Sequence, residues 1–331
     1  MSQSTDLSKN QNICLNKSKS KISHMSINGI KKLLKENPDK DLLDDLAKDS
    51  RKGVFKLLLS YHRNIEKAEQ LQEKTSNLYK PLIDAKKEGF LFVGGIDEAG
   101  RGPLAGPVVA ACVIIPLSPH INVDDSKKLS EKKRDALFEI INKRALGIGI
   151  GIVEADEIDR LNIYRSTQLA MHLAYENCKP QKPDFCFIDA MKVKEIPVPQ
   201  KSLIKGDAIC SAISAASIIA KVTRDKIMKN AAKKYSQYGF ESHKGYGSAS
   251  HMKALATYGP CPIHRTSFAP VSDYILPTRQ WYETMLKRCT SMEALRQIGQ
   301  RIKKNANDLL ETELEELRET YTECQTNLNR H

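Results

Sequence analysis

Phe92-Val93-Gly94-Gly95-Ile96-Asp97-Glu98-Ala99-Gly100-Arg101-Gly102-Pro103-Leu104-Ala105-Gly106-Pro107, followed by the apolar run Val108 to Ile115, is the stretch on which the fold turns. Phe92 to Ile96 is short and apolar, as suits a buried strand, and Val108 to Ile115 reads as a second one. Between them stand two adjacent carboxylates, Asp97 and Glu98, and a turn punctuated by glycine and proline. In a regular strand neighbouring side chains face opposite sides, so both acids can serve one ligand only where the strand ends or bulges, and Ala99-Gly100 supplies that break. Carboxylate oxygens are natural ligands of Mg²⁺ and Mn²⁺. Gly100, Gly102 and Gly106 let the main chain approach a substrate that a Cβ atom would hold away. The combination points to metal-dependent phosphodiester chemistry.

Working outward, the region from 90 to 235 alternates β-rich and helical runs. Ile148 to Val153, Phe185 to Ile188 and Ile196 to Ile204 add three strands to the first two, giving an α/β fold on a mixed five-stranded sheet flanked by helices. A helix is expected from about 156 to 178 and another from about 208 to 235. The latter presents Ile209, Ala212, Ile213, Ala216, Ile219 and Ala220 on one face, where small residues permit close packing on a sheet. Two further acids fall in positions matching the first pair. Asp189 closes the run Phe185-Cys186-Phe187-Ile188, and Asp207 follows Lys205-Gly206 where the long helix begins. Asp207 also suits an ordinary helix N-cap, and Asp97 and Glu98 alone also suit a solvated strand end. Four carboxylates gathered at strand ends would repel one another unless divalent cations neutralise them.

The flanks read differently. Residues 1–24 are rich in Ser, Asn, Gln and Lys and predict a disordered tail. Residues 25–89 predict a helical N-terminal extension, with Val54, Leu58, Tyr61 and Ile65 at amphipathic spacing, and its lysines suit added duplex affinity. Residues 236–275 are loop-rich and read as a lid region closing the 90–275 domain, with a short helix near His251 to Thr257. From 276 to 331 the chain is helical again, and Leu310, Leu314, Leu317, Tyr321, Cys324 and Leu328 form a heptad seam open to a coiled-coil partner or to the chain's own core.

The 331 residues carry a formal charge of +12, which favours polyanionic partners without proving one. Eight scattered cysteines suggest a reducing compartment. Cys261-Pro-Ile-His264 lacks a second ligand pair at zinc-site spacing, so no zinc is expected. The longest apolar run falls far short of the roughly 20 residues a membrane span needs, and the N-terminus has no signal-peptide core. A cytoplasmic, monomeric protein is expected.

Several motifs extend the reading: Asp-Glu-Ala-Gly-Arg-Gly at 97–102, Asp-Ser-Lys-Lys-Leu at 125–129, Lys-Gly-Asp at 205–207, Ser-Ile-Ile-Ala-Lys-Val-Thr-Arg-Asp at 217–225 and His-Lys-Gly-Tyr-Gly at 243–247. Together they closely resemble bacterial ribonuclease HII over about residues 90 to 275. The resemblance implies an RNase H-like fold, two-metal-ion hydrolysis with Mg²⁺ or Mn²⁺, and two substrates: RNA/DNA hybrids and DNA duplexes containing single ribonucleotides. It puts Asp97, Glu98, Asp189 and Asp207 in the places of the family's metal-binding catalytic carboxylates. Gly100, Arg101 and Gly102 correspond to the segment that reads the 2′-hydroxyl. Tyr246 corresponds to the tyrosine that stacks on the following deoxyribose, although it also suits an ordinary loop tyrosine. Lys127 and Lys128 are expected on backbone phosphates, or as mere surface charge. Lys221 and Arg224 stay unassigned. Ala190 stands where the family's pattern has glycine, and Arg165 where it has a small residue. A ribonuclease HIII-like activity and a non-catalytic hybrid-binding module are the competing readings.

Overall fold

Val108 to Ile114 is buried at every residue, because this β-branched stretch is covered on both faces. In the computed structural model, which describes residues 25–36, 38–123, 129–274 and 279–329, the chain divides into two units, Met1–Asn77 and Leu78–His331. The expected tail at 1–24 lies outside the described residues, as do Lys127 and Lys128.

The first unit holds α1 (Ile27–Leu33), α2 (Lys40–Ala47) and most of α3 (Lys52–Lys87), which carries the chain into the second. Ser26 and Asp39 cap the first two helices by accepting hydrogen bonds from the Gly29 and Leu42 N–H groups. Ile30, Leu34, Leu46, Val54 and Leu58 form its small core, with Tyr61 packed at the margin and Ile65 exposed.

The second unit is built on a six-stranded sheet in the order β4-β3-β2-β1-β5-β6, from β1 (Val93–Ala99), β2 (Val108–Ile114), β3 (Gly147–Val153), β4 (Lys179–Pro180), β5 (Phe185–Asp189) and β6 (Gln200–Leu203). The first four strands pair antiparallel, whereas β1, β5 and β6 run parallel. The sheet is mixed, as expected, but has six strands and not five. The additional strand spans two residues, one of them a proline, too short to carry any periodic signal. The fifth run also shrinks: Ile196 to Pro199 precede β6, since Pro197 and Pro199 cannot donate to a ladder.

Helix α4 (Glu131–Arg144) lies beside the sheet-packing helix described below. The expected helix over 156–178 is two helices, α5 (Ala155–Leu161) and α6 (Ile163–Glu176). They part at Asn162, whose φ of 72° ends one helix while its side chain accepts from the Tyr164 and Arg165 N–H groups to start the next. α6 covers β3 and β2 on one face of the sheet. α7 (Ser211–Lys234) covers β1 and β2 on the other, and every residue from Ser211 to Ala220 is buried. Ile209, expected on its buried face, precedes the helix and is exposed. Contact between helix and sheet is backbone-close. A Cβ at Gly95 would lie 2.1 Å from the Ala212 carbonyl carbon, and one at Gly151 would lie 2.0 Å from the Ala170 oxygen. Each large aliphatic side chain fully buried in these layers contributes about 1.5–3 kcal/mol.

Beyond α7 come α8 (Phe240–His243) and α9 (Ala249–Tyr258), whose loops bond back to the glycine-rich turn after β1. The C-terminal segment folds as α10 (Arg279–Lys287), α11 (Met292–Lys304) and α12 (Glu311–Leu328), around Tyr282, Leu286, Leu295, Ile302 and Leu317. Leu314, Tyr321, Cys324 and Leu328 of the heptad seam pack in this same cluster, so the coiled-coil contact is not supported: the seam meets α10 and α11 of its own chain. Only Leu310 stands exposed. No helix among the described residues is long and apolar enough to cross a membrane.

Ala190, one residue past β5, has φ of 52°, in the left-handed region where glycine is free of strain. Its side chain is exposed, so truncation loses no packing. We expect Ala190→Gly to raise the unfolding free energy by roughly 0.5–1 kcal/mol, the relief of left-handed strain less the added freedom of the unfolded chain. Urea titration measures this, and a loss of stability would contradict it.

Candidate active site

Two parallel neighbours bring the acids together. The β1–β5 ladder ends at the pair Ile96 and Ile188, so Asp97 and Asp189 follow at the same level of the sheet. On the other side β1 stays paired with β2 through Ala99, which holds Asp97 opposite Ala111 and Glu98 opposite Ala110. The strand therefore breaks toward β5 only, leaving both acids on an ordered backbone at an open sheet end.

Asp97 is buried, and its Oδ1 accepts a hydrogen bond of 2.7 Å from the Glu98 N–H. Loss of water pushes its carboxyl well above the usual range, and the charges of Glu98 and then Asp189 add to this, while a hydrogen bond with Ser217 of α7 opposes it. Glu98 is raised as well, first by burial and then by Asp189, with the Arg101 guanidinium pulling the other way from 3.5 Å. Asp189 Oδ1 accepts from the Gly206 N–H at 2.7 Å, which ties the end of β5 to the 3₁₀ turn Gly206–Ala208. That turn carries the buried Asp207. Cys210, not Asp207, is the N-cap residue of α7.

Asp97, Glu98, Asp189 and Asp207 thus stand on three adjacent pieces of backbone. Asp97 and Asp189 are turned onto main-chain N–H groups, and among the described residues no three His, Cys, Asp or Glu side chains converge on one point. The chemistry of the donor set nonetheless suits a hard cation: every donor is a carboxylate oxygen, Asp97 and Asp207 are buried while Glu98 and Asp189 are half-buried, and Arg101, Ser217 and the Glu98 and Gly206 N–H groups offset part of the charge of Asp97, Glu98 and Asp189.

The turn after β1 is pinned from beneath. Gly100 has φ of 98°, and a Cβ there would lie 2.1 Å from Arg224 Nε. Leu104 N–H donates to the Gly245 carbonyl, Gly106 N–H to that of Ile263, and Arg265 N–H to that of Leu104, each at 2.8 Å. Arg224, only 1% exposed, donates to the carbonyls of Pro107, Lys244 and Ala105 at 2.9–3.1 Å. The residue left unassigned from sequence is therefore a buried staple between the glycine-rich turn and the 243–247 loop. Lys221 instead pairs with Asp225 at 2.7 Å.

Tyr246 stands at the rim, 46% exposed, with its ring 3.9 Å from where a Cβ on Gly102 would sit. A chain of neutral histidines fixes its backbone. The Cys261 N–H donates to His264 Nδ1 at 2.9 Å, so the proton of His264 sits on Nε2 and points to His251 Nε2 at 3.0 Å. His251 Nδ1–H then donates to the Tyr246 carbonyl at 2.9 Å. Burial pulls His264 down to about 4 and also lowers His251, which keeps both neutral near pH 7. Sequence reading weighed His264 only as half of a metal pair and gave no role to His251, Arg265 or Ser217. Arg265 and Ser217 meet partners more than 100 residues away, as in the bond from Arg265 to the Gly100 carbonyl, and no local pattern records such contacts; His251 bonds nearer in sequence, to Tyr246 and His264, but in a region without a regular period.

A family model for ribonuclease HII matches residues 94–271, and one for the ribonuclease HII N-terminal domain matches residues 26–80. The ribonuclease HII of Listeria monocytogenes serotype 4b (strain F2365) is 50% identical over 226 residues, 68% of this chain and 86% of that protein. That of Bacillus pumilus (strain SAFR-032) is 46% identical over 253 residues, 76% of this chain and 99% of the relative. Among solved structures, ribonuclease H2 from Pyrococcus horikoshii OT3 aligns with a TM-score of 0.48 at 27% identity, covering 56% of this chain and 97% of that one. With a family model across more than half its length and relatives this similar, the chain belongs to the ribonuclease HII family of metal-dependent nucleases.

Proposed function

We propose that this protein is an endoribonuclease that cleaves the RNA strand of RNA/DNA hybrids and nicks DNA duplexes on the 5′ side of single embedded ribonucleotides, leaving 3′-hydroxyl and 5′-phosphate ends. The observation that carries the reading is the set of buried or half-buried carboxylates Asp97, Glu98, Asp189 and Asp207 at the open end of β1 and β5, with the exposed Arg101 and Gly102 just after the first pair and the half-exposed Tyr246 beside Gly102. Asp97, Glu98, Asp189 and Asp207 would hold the divalent cations, Mg²⁺ or Mn²⁺. Two such ions activate water and stabilise the departing oxygen in an in-line displacement at phosphorus.

The chain's own residues supply orientation and selectivity. Asp97 is fixed by the Glu98 N–H and Ser217, so it presents its remaining lone pairs without searching rotamers. Gly100, Arg101 and Gly102 bring main-chain groups to the ribose, where the 2′-hydroxyl distinguishes a ribonucleotide from its neighbours. Tyr246, beside Gly102, offers a flat ring that accepts a deoxyribose and crowds a second 2′-hydroxyl. Lys127 and Lys128, assigned from the motif alone, would neutralise backbone phosphates. The net charge of +12 suits a duplex partner.

End-labelled duplexes test the reading: one with a single ribonucleotide, one full RNA/DNA hybrid and one all-DNA, each with Mg²⁺, Mn²⁺ or chelator. We expect cutting 5′ of the single ribonucleotide and along the hybrid strand, none of the all-DNA duplex, and none in chelator. Cleavage confined to runs of several ribonucleotides would favour the HIII-like reading, and cutting that survives chelation would overturn the assigned site. In the same assay Tyr246→Ala should lower kcat/KM on the single-ribonucleotide duplex by roughly 10- to 100-fold, the equivalent of ~1–3 kcal/mol for a lost stacking contact. An unchanged value would remove Tyr246 from the site.

A further inference from the structure

Arg265 is 0% exposed, yet every hydrogen bond of its guanidinium goes to a main-chain carbonyl. Nε donates to Gly106 at 3.0 Å, Nη1 to Arg101 at 2.9 Å, and Nη2 to Gly100 at 2.5 Å and again to Gly106 at 2.9 Å. Burial and the nearby Arg224 pull its pKa down to about 9, so it remains charged at neutral pH. One buried cation thus gathers three carbonyls from the segment that follows the carboxylate pair.

The consequence lies on the opposite side of the turn. The Gly100–Arg101 and Arg101–Gly102 peptides are planar and trans, so a carbonyl aimed at Arg265 sends the N–H of the same peptide the other way. Those two N–H groups belong to Arg101 and Gly102, both exposed, and neither has a protein acceptor among the described residues. A charge-assisted bond to the carbonyl end of a peptide also polarises it and strengthens its N–H as a donor.

We propose that Arg265 is a positioning residue for ribonucleotide recognition: by drawing the Gly100 and Arg101 carbonyls inward, it presents the Arg101 and Gly102 N–H groups as a fixed, polarised donor pair for an oxygen of the substrate ribose. The proposal rests on the reading that residues 100–102 meet the 2′-hydroxyl. Fixed donors cost no reorganisation when substrate arrives, which is how a loop without a side-chain reader achieves selectivity. Lysine cannot replace arginine here. Its single ammonium lacks the planar fork that spans separate carbonyls.

The test compares wild type with Arg265→Lys and Arg265→Gln in two measurements. The first is the ratio of affinities for an all-DNA duplex and the same duplex with one ribonucleotide, read in Ca²⁺, alongside the kcat and KM for cleavage in Mg²⁺. We expect the folded Arg265→Lys variant to bind all-DNA duplex within about twofold of wild type and its ribonucleotide preference to fall by about tenfold or more, as the loss of one well-made hydrogen bond would give. A folded variant with the preference intact would overturn the proposal alone, whereas a wild type with no preference would overturn the reading beneath it and the proposal together. The second measurement is made on wild type and is indifferent to whether the variants fold: NMR scalar coupling across the hydrogen bonds from the Arg265 guanidinium to the Gly100 and Arg101 carbonyl carbons. Coupling to both is expected, and its absence would overturn the proposal.

Discussion

Burying Asp97 beside two other carboxylates is the constraint on which the rest of this structure depends. A carboxylate removed from water and placed near like charges is unfavourable in its ionised form unless something positive joins it. The protein supplies only partial relief, in the Glu98 N–H, the Ser217 hydroxyl and the exposed Arg101. The architecture accounts for how the burial is achieved. Gly95 lets α7 press onto β1 at backbone distance, and the parallel register of β1 with β5 sets Asp189 level with Asp97. Folding therefore assembles an electrostatic deficit that a divalent cation would correct, which is the kind of site a metal-dependent nuclease needs.

The turn after β1 depends on a second, opposite imbalance. Among the described residues, Arg224 and Arg265 are buried cations bonded to carbonyls and to no carboxylate, and both bond to the 100–107 turn. Positive charge lies below the turn and negative charge beside it, and Arg101 and Gly102 at its tip are exposed. The histidine chain from His264 through His251 to the Tyr246 carbonyl steadies the neighbouring loop without any charge at neutral pH. The proposed catalytic acids and the turn that follows them thus share a support built from chain segments about 160 residues apart.

Much of this was legible in the sequence, for physical reasons that differ by element. The strands around Asp97 and Asp189 were readable because each is a short apolar run closed by an acid, and the long helix because its small residues recur at helical spacing. The two-residue β4 was not, since two residues carry no period. The break at Asn162 escaped because asparagine serves both a helix interior and a left-handed cap. The heptad seam was seen correctly as apolar, but a seam does not say whose helix covers it, and here α10 and α11 do. Arg265 left no trace, because its partners are carbonyls, which every residue has. The glycine expected after Asp189 was the opposite case: the φ of 52° at Ala190 explains why that position favours glycine.

Thermal unfolding of wild type and Asp97→Asn, each in chelator and in saturating Mn²⁺, tests the central claim most directly. If Asp97 is a buried charge awaiting a cation, the neutral variant melts at or above wild type in chelator, and the order reverses in Mn²⁺ because only wild type gains from the ion. If Asp97→Asn instead melts below wild type in chelator and both proteins gain equally from Mn²⁺, the acid is a structural element of the fold and the metal-centred account is wrong.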